Sequence, residues 1–384
     1  MLQNNKPPNP PAFIFVIDVS YNNIKSGLVQ LLCAEMKNIV KNLPIDTGLK
    51  RTAMKVGFIT FNNTVHFYNC KSSLALPQMM LVSDVNEMFM PLLDGFLCDP
   101  EESSNVIDAL MEQIPLMFGD TRETETVLYP AIQAGLEALK ASECVGKLLV
   151  FNSSLPVSDC VGKLKNRDER SVLGTEKEKT VLAPQCTTYN NLGQDCVQNG
   201  CAVDLFIFNN SYIDLATIGQ ICRLTGGEIY KYTYFQSDID GHRVISDVMK
   251  DISKPIAFDT VMRVRTSTGI RPTDFYGHFF MSNTTDMEIA AVDCEKSIAI
   301  EIKHDDKLPP EENVYIQAAL LYTSVSGQRR LRIINLALKT CLQMADLFRC
   351  CDLDAIVLFF AKQVSLIKCS MIEIELKLFA TLFN

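Results

Sequence analysis

The chain has 384 residues, 47% of them hydrophobic, and a formal net charge of −9 from 45 acidic and 36 basic side chains. That length is enough for two or three packed domains, and that apolar fraction excludes a disordered chain. The acidic balance speaks against nucleic acid as a general partner, and no apolar stretch approaches the roughly 20 residues that span a bilayer.

The opening "MLQNNKPPNPP" is polar and lacks the apolar centre of a secretory signal, so residues 1–11 are expected to be a disordered leader. The 14 cysteines are scattered without a C-x-x-C pair, which fits reduced thiols in a cytosolic chain better than a disulfide framework. From residue 12 the pattern alternates between strands and helices. "FIFVIDVS" is a continuous apolar run, as expected of a central strand covered on both faces. A helix follows, with Ile24, Leu28, Leu31, Leu32, Ile39 and Val40 on one stripe. "MKVGFITFNN" and "VHFYNC" read as strand, turn and strand. "SNVIDALMEQIPLMF" is an amphipathic helix with Ser104 or Asn105 as its expected cap, and "TVLYPAIQAGLEALKA" is another helix. "KLLVFNSS" and "AVDLFIFNN" are buried strands, and "SYIDLATIGQICRLTGG" is a helix stopped by glycine. The strand "EIYKY" and the helix "HRVISDVMKDI" close a unit expected over residues 12–254. This alternation predicts a doubly wound, mainly parallel sheet.

Near residue 256 the period changes. "FDTVMRVRTST", "DFYGHFFMS", "KSIAIEIKHDD", "NVYIQAALLYTS" and "QRRLRIINLALK" are successive strands with no helix between them. Ile298, Ile300 and Ile302 share one face while Glu301 and Lys303 take the other, so residues 255–340 are expected to form a half-solvated antiparallel sandwich or barrel. Residues 341–367 turn helical again, and the apolar tail 368–384 matches no pattern.

Three features invite a chemical reading. The first strand ends in a polar comb of Asp18, Ser20 and Asn22. D-x-S-x-S at the carboxyl edge of a parallel sheet marks a von Willebrand A-type metal site, where carboxylate and hydroxyl oxygens hold a hard cation. Here Asn22 replaces the second serine. Thr124 or Thr126 offers the third ligand, but "VFNSSLPV" carries no acid where one is needed. The comb therefore reads as a decayed metal site whose side chains cap the turn before the helix. Catalysis has little support. Ser20 and Cys33 have no positioned base, and the histidines at 66, 242, 278 and 304 form no metal-binding pair. Cys186, Cys196 and Cys201 are too loosely spaced for a zinc site, and no fourth ligand accompanies them. Finally, Arg263 and Arg265 share one strand face, as do Arg330 and Arg332; paired guanidinium groups suit carboxylates or acidic lipids, or else a solvated face balanced by acids.

The ordered strings "VMRVRTSTGIR", "FYGHFFMSNTTD", "IKHDDKL" and "LLYTSVSGQRRLRIINLAL" resemble the large cargo-adaptor subunit of the COPII vesicle coat. So do "HFYNCKSSLALPQMM", "PLLDGFL", "DTRETETV", "GKLKNRDER" and "LTGGEIYKY", which look most like the C and D types of animals. The resemblance covers roughly residues 11–363. It implies a von Willebrand A-like trunk, a β-sandwich and the start of a helical domain. It also implies a non-enzymatic protein on the cytosolic side of endoplasmic reticulum and coated-vesicle membranes, held there peripherally. Implied partners are the GTPase-activating sister subunit, paired through the trunk, the cytosolic tails of cargo and SNARE proteins, the outer coat and, indirectly, the coat's small GTPase. No cofactor is implied, since the family's zinc ribbon lies upstream of the trunk. Arg263 and Arg265 match the arginines that hold acidic sorting signals in other members. The alternative reading is a metal-dependent von Willebrand A-type receptor, which needs an intact comb.

Overall fold

Phe13, Phe15 and Ile17 leave one side of the first strand and Ala12, Ile14 and Val16 the other, and all six are fully buried. Two cores on opposite faces of one sheet follow from that alternation. The computed structural model describes residues 9–167, 174–175, 177–309 and 312–370. The first unit runs β1 (Ala12–Asp18), α1 (Tyr21–Lys25), α2 (Leu28–Lys41), β2 (Lys55–Phe61), β3 (Val65–Asn69), β4 (Gln78–Val82), α3 (Ser104–Phe118) and α4 (Leu128–Ala141). It continues with β5 (Gly146–Asn152), α5 (Glu178–Leu182), α6 (Thr188–Gln198), β6 (Cys201–Ile207), α7 (Leu215–Ile218), α8 (Gln220–Thr225), β7 (Ile229–Lys231) and α9 (Ser237–Ser253). Its seven strands lie in the order β4-β3-β2-β1-β5-β6-β7. Pairing is parallel from β2 through β7 and antiparallel at β3 and β4. Helices α2, α3 and α9 cover one face, and α4, α6 and α8 the other. This is the doubly wound unit that the alternating pattern predicts.

The second unit runs β8 (Ile256–Thr266), β9 (Ile270–Tyr276), β10 (Asp286–Asp293), β11 (Ala299–His304), β12 (Asn313–Thr323) and β13 (Arg329–Lys339). Helices α10 (Met344–Cys350) and α11 (Leu353–Ser370) follow. Four strands form an antiparallel sheet in the order β10-β8-β12-β13, and β9 pairs separately with β11. The sequence-predicted change from an alternating α/β unit to consecutive antiparallel strands therefore holds.

Details differ. β4 is absent from the sequence reading, because four of its five residues are exposed and give no alternation. The helix read across residues 211–227 is two short helices that part at Gly219, where a side chain would meet the Leu215 carbonyl. Gly226 does end α8 in the left-handed region, as the "LTGG" signal predicts. At α3, neither Ser104 nor Asn105 is the cap; Ser103 holds that position and makes no capping bond with its side chain. The strand read through "DFYGHFFMS" stops at Tyr276, and only an isolated bridge from Phe280 to Glu288 continues it. Residues 1–8 of the leader and 371–384 of the tail lie outside the described residues.

The two units share one core. Ile256, Phe258, Ala290, Ala291 and Val325 of the second join the α2, α3 and α9 side of the first, and the Phe258 ring meets Phe13 edge-on at 6.2 Å between centroids. Charges bind the same junction. On β5, Lys147 is buried between Asp204 on β6 and Asp251 on α9, the latter at 2.9 Å. Lys254 then links Asp251 to Asp293 of β10, each at 3.0 Å, and Lys296 reaches Glu228 at 2.7 Å. A buried Lys keeps its charge only when carboxylates surround it, which is the arrangement around Lys147.

Candidate functional site

Two places carry the sequence-predicted residues. At the carboxyl edge of the parallel sheet, β1 delivers Asp18 into a fully buried position. One carboxylate oxygen accepts from the Ser20 backbone N–H at 2.7 Å; the other accepts from the Ser153 N–H at 2.9 Å and the Ser153 hydroxyl at 2.6 Å. Ser20 Oγ lies 3.3 Å from Ser153 Oγ, and the Asp18 carbonyl accepts from the Asn23 amide at 3.0 Å. Burial pushes the Asp18 carboxyl above its usual range, against the pull of its bonds from Ser153 and Ser20. Thr126 is the threonine brought to this edge, with its hydroxyl 3.1 Å from Ser154, while Thr124 is exposed. Asn22 is half-buried and lines an open cavity with Tyr21 and Lys25. A hydroxyl therefore occupies the second oxygen of Asp18 at the loop where a metal site would bring an acid. Sequence reasoning found the missing acid but not its replacement; the signal was the serine pair in "VFNSSLPV".

The other candidates separate. Among the described residues, no group of three or more His, Cys, Asp or Glu side chains is placed to hold a metal. Cys196 and Cys201 are buried thiols, whereas Cys186 is partly exposed. Burial pushes the Cys33 thiol up to about 12, which suits a packed side chain and not a nucleophile. His66 is buried against the hydroxyls of Thr60 at 3.0 Å and Thr64 at 3.1 Å.

The second place is β8. Arg263 and Arg265 are exposed on one face while Val264 between them is buried, as strand alternation requires. Register sets Asp286 of β10 directly opposite Arg263, and its carboxylate takes both the Nε and an Nη of that guanidinium. Arg265 lies close enough to add to the lowering of the Asp286 carboxyl, whose first cause is the Arg263 bond. The pair thus carries one balancing acid between two cations. That acid is 23 residues from Arg263 in sequence and becomes its neighbour only through the β8–β10 register. The other arginine row does not act as a row. Arg330 bonds Asp46 of the first unit at 2.8 Å, while Arg332 is exposed.

The Sec23/Sec24 trunk domain matches residues 8–252, and the Sec23/Sec24 beta-sandwich domain matches residues 257–341. The chain is 57% identical to human protein transport protein Sec24C over 360 residues, covering 94% of this chain and 33% of that protein. It is 54% identical to human Sec24D, over 94% of this chain and 35% of that protein. It therefore spans about a third of the length of these curated relatives. The crystal structure of the human COPII-coat protein Sec24c superposes with a TM-score of 0.91 at 57% identity, covering 94% of this chain and 48% of that one. Both domain models in order place this chain in the Sec23/Sec24 family, and across both domains its similarity is to Sec24 proteins of the C and D kinds.

Proposed function

We propose that this chain acts as a cargo-selecting subunit of the COPII coat, without enzymatic activity of its own. It pairs through its trunk with the GTPase-activating sister subunit and holds acidic signals from cytosolic tails on Arg263 and Arg265. The observation that carries the reading is similarity to Sec24 proteins across trunk and sandwich together, not across one module. Cytosolic placement at endoplasmic reticulum exit membranes, cargo and SNARE tails as ligands and contact with the outer coat belong to the same proposal. Among the described residues no helix is long and apolar enough to cross a membrane, so membrane association in this reading is peripheral.

The arginine pair suits an acidic ligand because Asp286 is bound by Arg263 and leaves Arg265 positive charge to offer. Exposure limits the gain, since solvent screens a surface pair. Titration of acidic tail peptides should therefore weaken by about 3- to 10-fold in an Arg263→Ala/Arg265→Ala variant. The loss should shrink at high salt. Equal affinities in a folded variant would assign the arginines to the solvated sheet face. Co-purification of the full chain with the GTPase-activating subunit tests the pairing, and failure to associate at micromolar concentration would refute it.

A further inference from the structure

A local excess of cations begins in the sequence. "MKNIVKN" places Lys37 and Lys41 four residues apart on α2, so both leave one helix face, and "LKRT" sets Lys50 and Arg51 side by side in the loop 42–54 that follows. The fold brings both groups to one cavity of about 370 Å³. Lys37, Lys41, Lys50 and Arg51 line it with only two carboxylates, Glu101 and Asp108, a surplus of two positive charges in a chain whose net charge is −9. Among the described residues Lys37 pairs with Asp108 and Arg51 reaches Glu102 at 3.7 Å, but Lys41 and Lys50 have no ion-pair partner. Ser104 and Asn105 at the start of α3 line the same cavity, and no acid stands in the first turn of that helix. Val40, Leu43, Ile45 and Ile107 give the cavity an apolar wall.

The loop that carries Lys50 and Arg51 is tied down on both sides. The Thr52 hydroxyl donates to the Pro44 carbonyl at 3.0 Å and accepts from the Met54 N–H at 3.2 Å. Asp46 accepts from the Ser326 hydroxyl at 2.5 Å and from Arg330 at 2.8 Å, both in the second unit. One lysine in the last turn of α2 complements that helix end by itself. Two more cations held against it from the loop add like-charge repulsion that the two carboxylates only half offset.

We propose that this cavity is a binding site for a small soluble phosphate ester. Lys41, Lys50 and Arg51 take the phosphate, and the apolar wall takes the body of the ester. A phosphate monoester carries a charge of about −1.5 to −2 at neutral pH and three terminal oxygens, which matches the surplus; a lone carboxylate brings half that charge. The volume lies at the lower end of the roughly 300–1,000 Å³ typical of small-molecule sites. An anionic bilayer fits less well, because it would also have to meet the exposed acids Glu101 and Glu102 beside the cavity.

Calorimetric titration of the full chain with phenyl phosphate, at constant ionic strength, tests the site. Phenyl phosphate should bind, inorganic phosphate should bind several-fold more weakly for want of the apolar contact, and phenol should not bind. Lys41→Gln/Lys50→Gln should weaken the ester by about 10-fold. Lys231→Gln/Lys339→Gln, an equal loss of exposed charge elsewhere, should leave it unchanged. Circular dichroism checks the fold of both variants. In the unaltered chain, tryptic cleavage after Lys50 and Arg51 should slow several-fold in the presence of phenyl phosphate. No binding at millimolar ester would overturn the site, as would equal weakening in the two double variants, which would reduce it to general charge attraction. Vesicles containing phosphatidylinositol 4-phosphate that bind through Lys41 and Lys50, while the soluble ester does not, would overturn it in favour of a membrane contact.

Discussion

β5 and β13 carry similar apolar density and meet opposite fates. All seven residues of β5 are buried, whereas every residue of β13 except the half-buried Arg330 is exposed. β5 lies in the middle of its sheet with helices over both faces; β13 lies at the edge of its sheet, and no described element covers Leu331, Ile333, Ile334, Leu336 and Leu338. A continuous apolar run therefore reports what a strand can pack against, and position in the sheet decides whether it does. An exposed apolar edge of this length is the kind of surface through which sheets associate.

The sharpest way to break the contrast is at the charge buried inside β5. Lys147→Ala leaves Asp204 and Asp251 without their shared cation in a region closed to water. Removing one partner of a buried ionic group costs about 3–5 kcal/mol, against a small effect for any β13 side chain. Denaturant midpoints of the full chain measure it. A loss under about 1 kcal/mol would mean that water reaches the cluster.

Core against edge is tested next by two truncations. Phe258→Ala removes the ring that carries the second unit into the trunk core, and should cost about 3 kcal/mol. Leu336→Ala removes a larger aliphatic side chain than many core positions hold, yet should stay within about 0.5 kcal/mol because half of it already faces solvent. Comparable losses at both sites would show that β13 is covered in solution by a second molecule, and concentration dependence of the Leu336 effect would confirm it.

Within the trunk, two buried groups tilt stability in opposite directions with pH. Asp204 is pushed up to about 7, by burial first and then by Asp251. Between the unfolded carboxylate value of about 3.9 and that point the folded chain binds more protons, so Asp204 makes stability fall as pH rises. His66 is held at about 4 by burial. Between that point and its unfolded value of about 6.5 the unfolded chain binds more protons, so His66 makes stability rise with pH. Asp204→Asn should flatten the falling contribution and His66→Gln the rising one, each by up to about 1 kcal/mol per pH unit inside its window. Slopes changed in the same direction would contradict these environments.

What was legible in the sequence follows from the same physics. β1, β5 and β6 announce themselves because helices cover both of their faces. β4 does not, because an exposed edge places no demand on its side chains. The arginine faces on β8 were readable from period two, but Asp286 was not, since only register brings it there. The buried charge cluster left a trace that was not read. A lysine in "GKLLVFN" and an aspartate in "AVDLFIF" interrupt otherwise apolar runs, and such residues stay charged in a core only beside one another.

The smallest expected effect belongs to the comb. Both Asp18 oxygens are already committed, to the Ser20 N–H and to the N–H and hydroxyl of Ser153. A hard cation prefers several free oxygens, carboxylates foremost, and here it would have to displace three donors. The position that would bring a second acid supplies Ser153, which donates to Asp18 where a carboxylate would bind the ion beside it. Millimolar Mg²⁺ or Mn²⁺ should therefore leave the melting temperature of the full chain unchanged, because an ion that does not bind the folded state cannot shift its equilibrium. A rise of several degrees with either ion, lost in Asp18→Asn, would restore the metal-dependent reading and remove the comb from the list of purely structural turns.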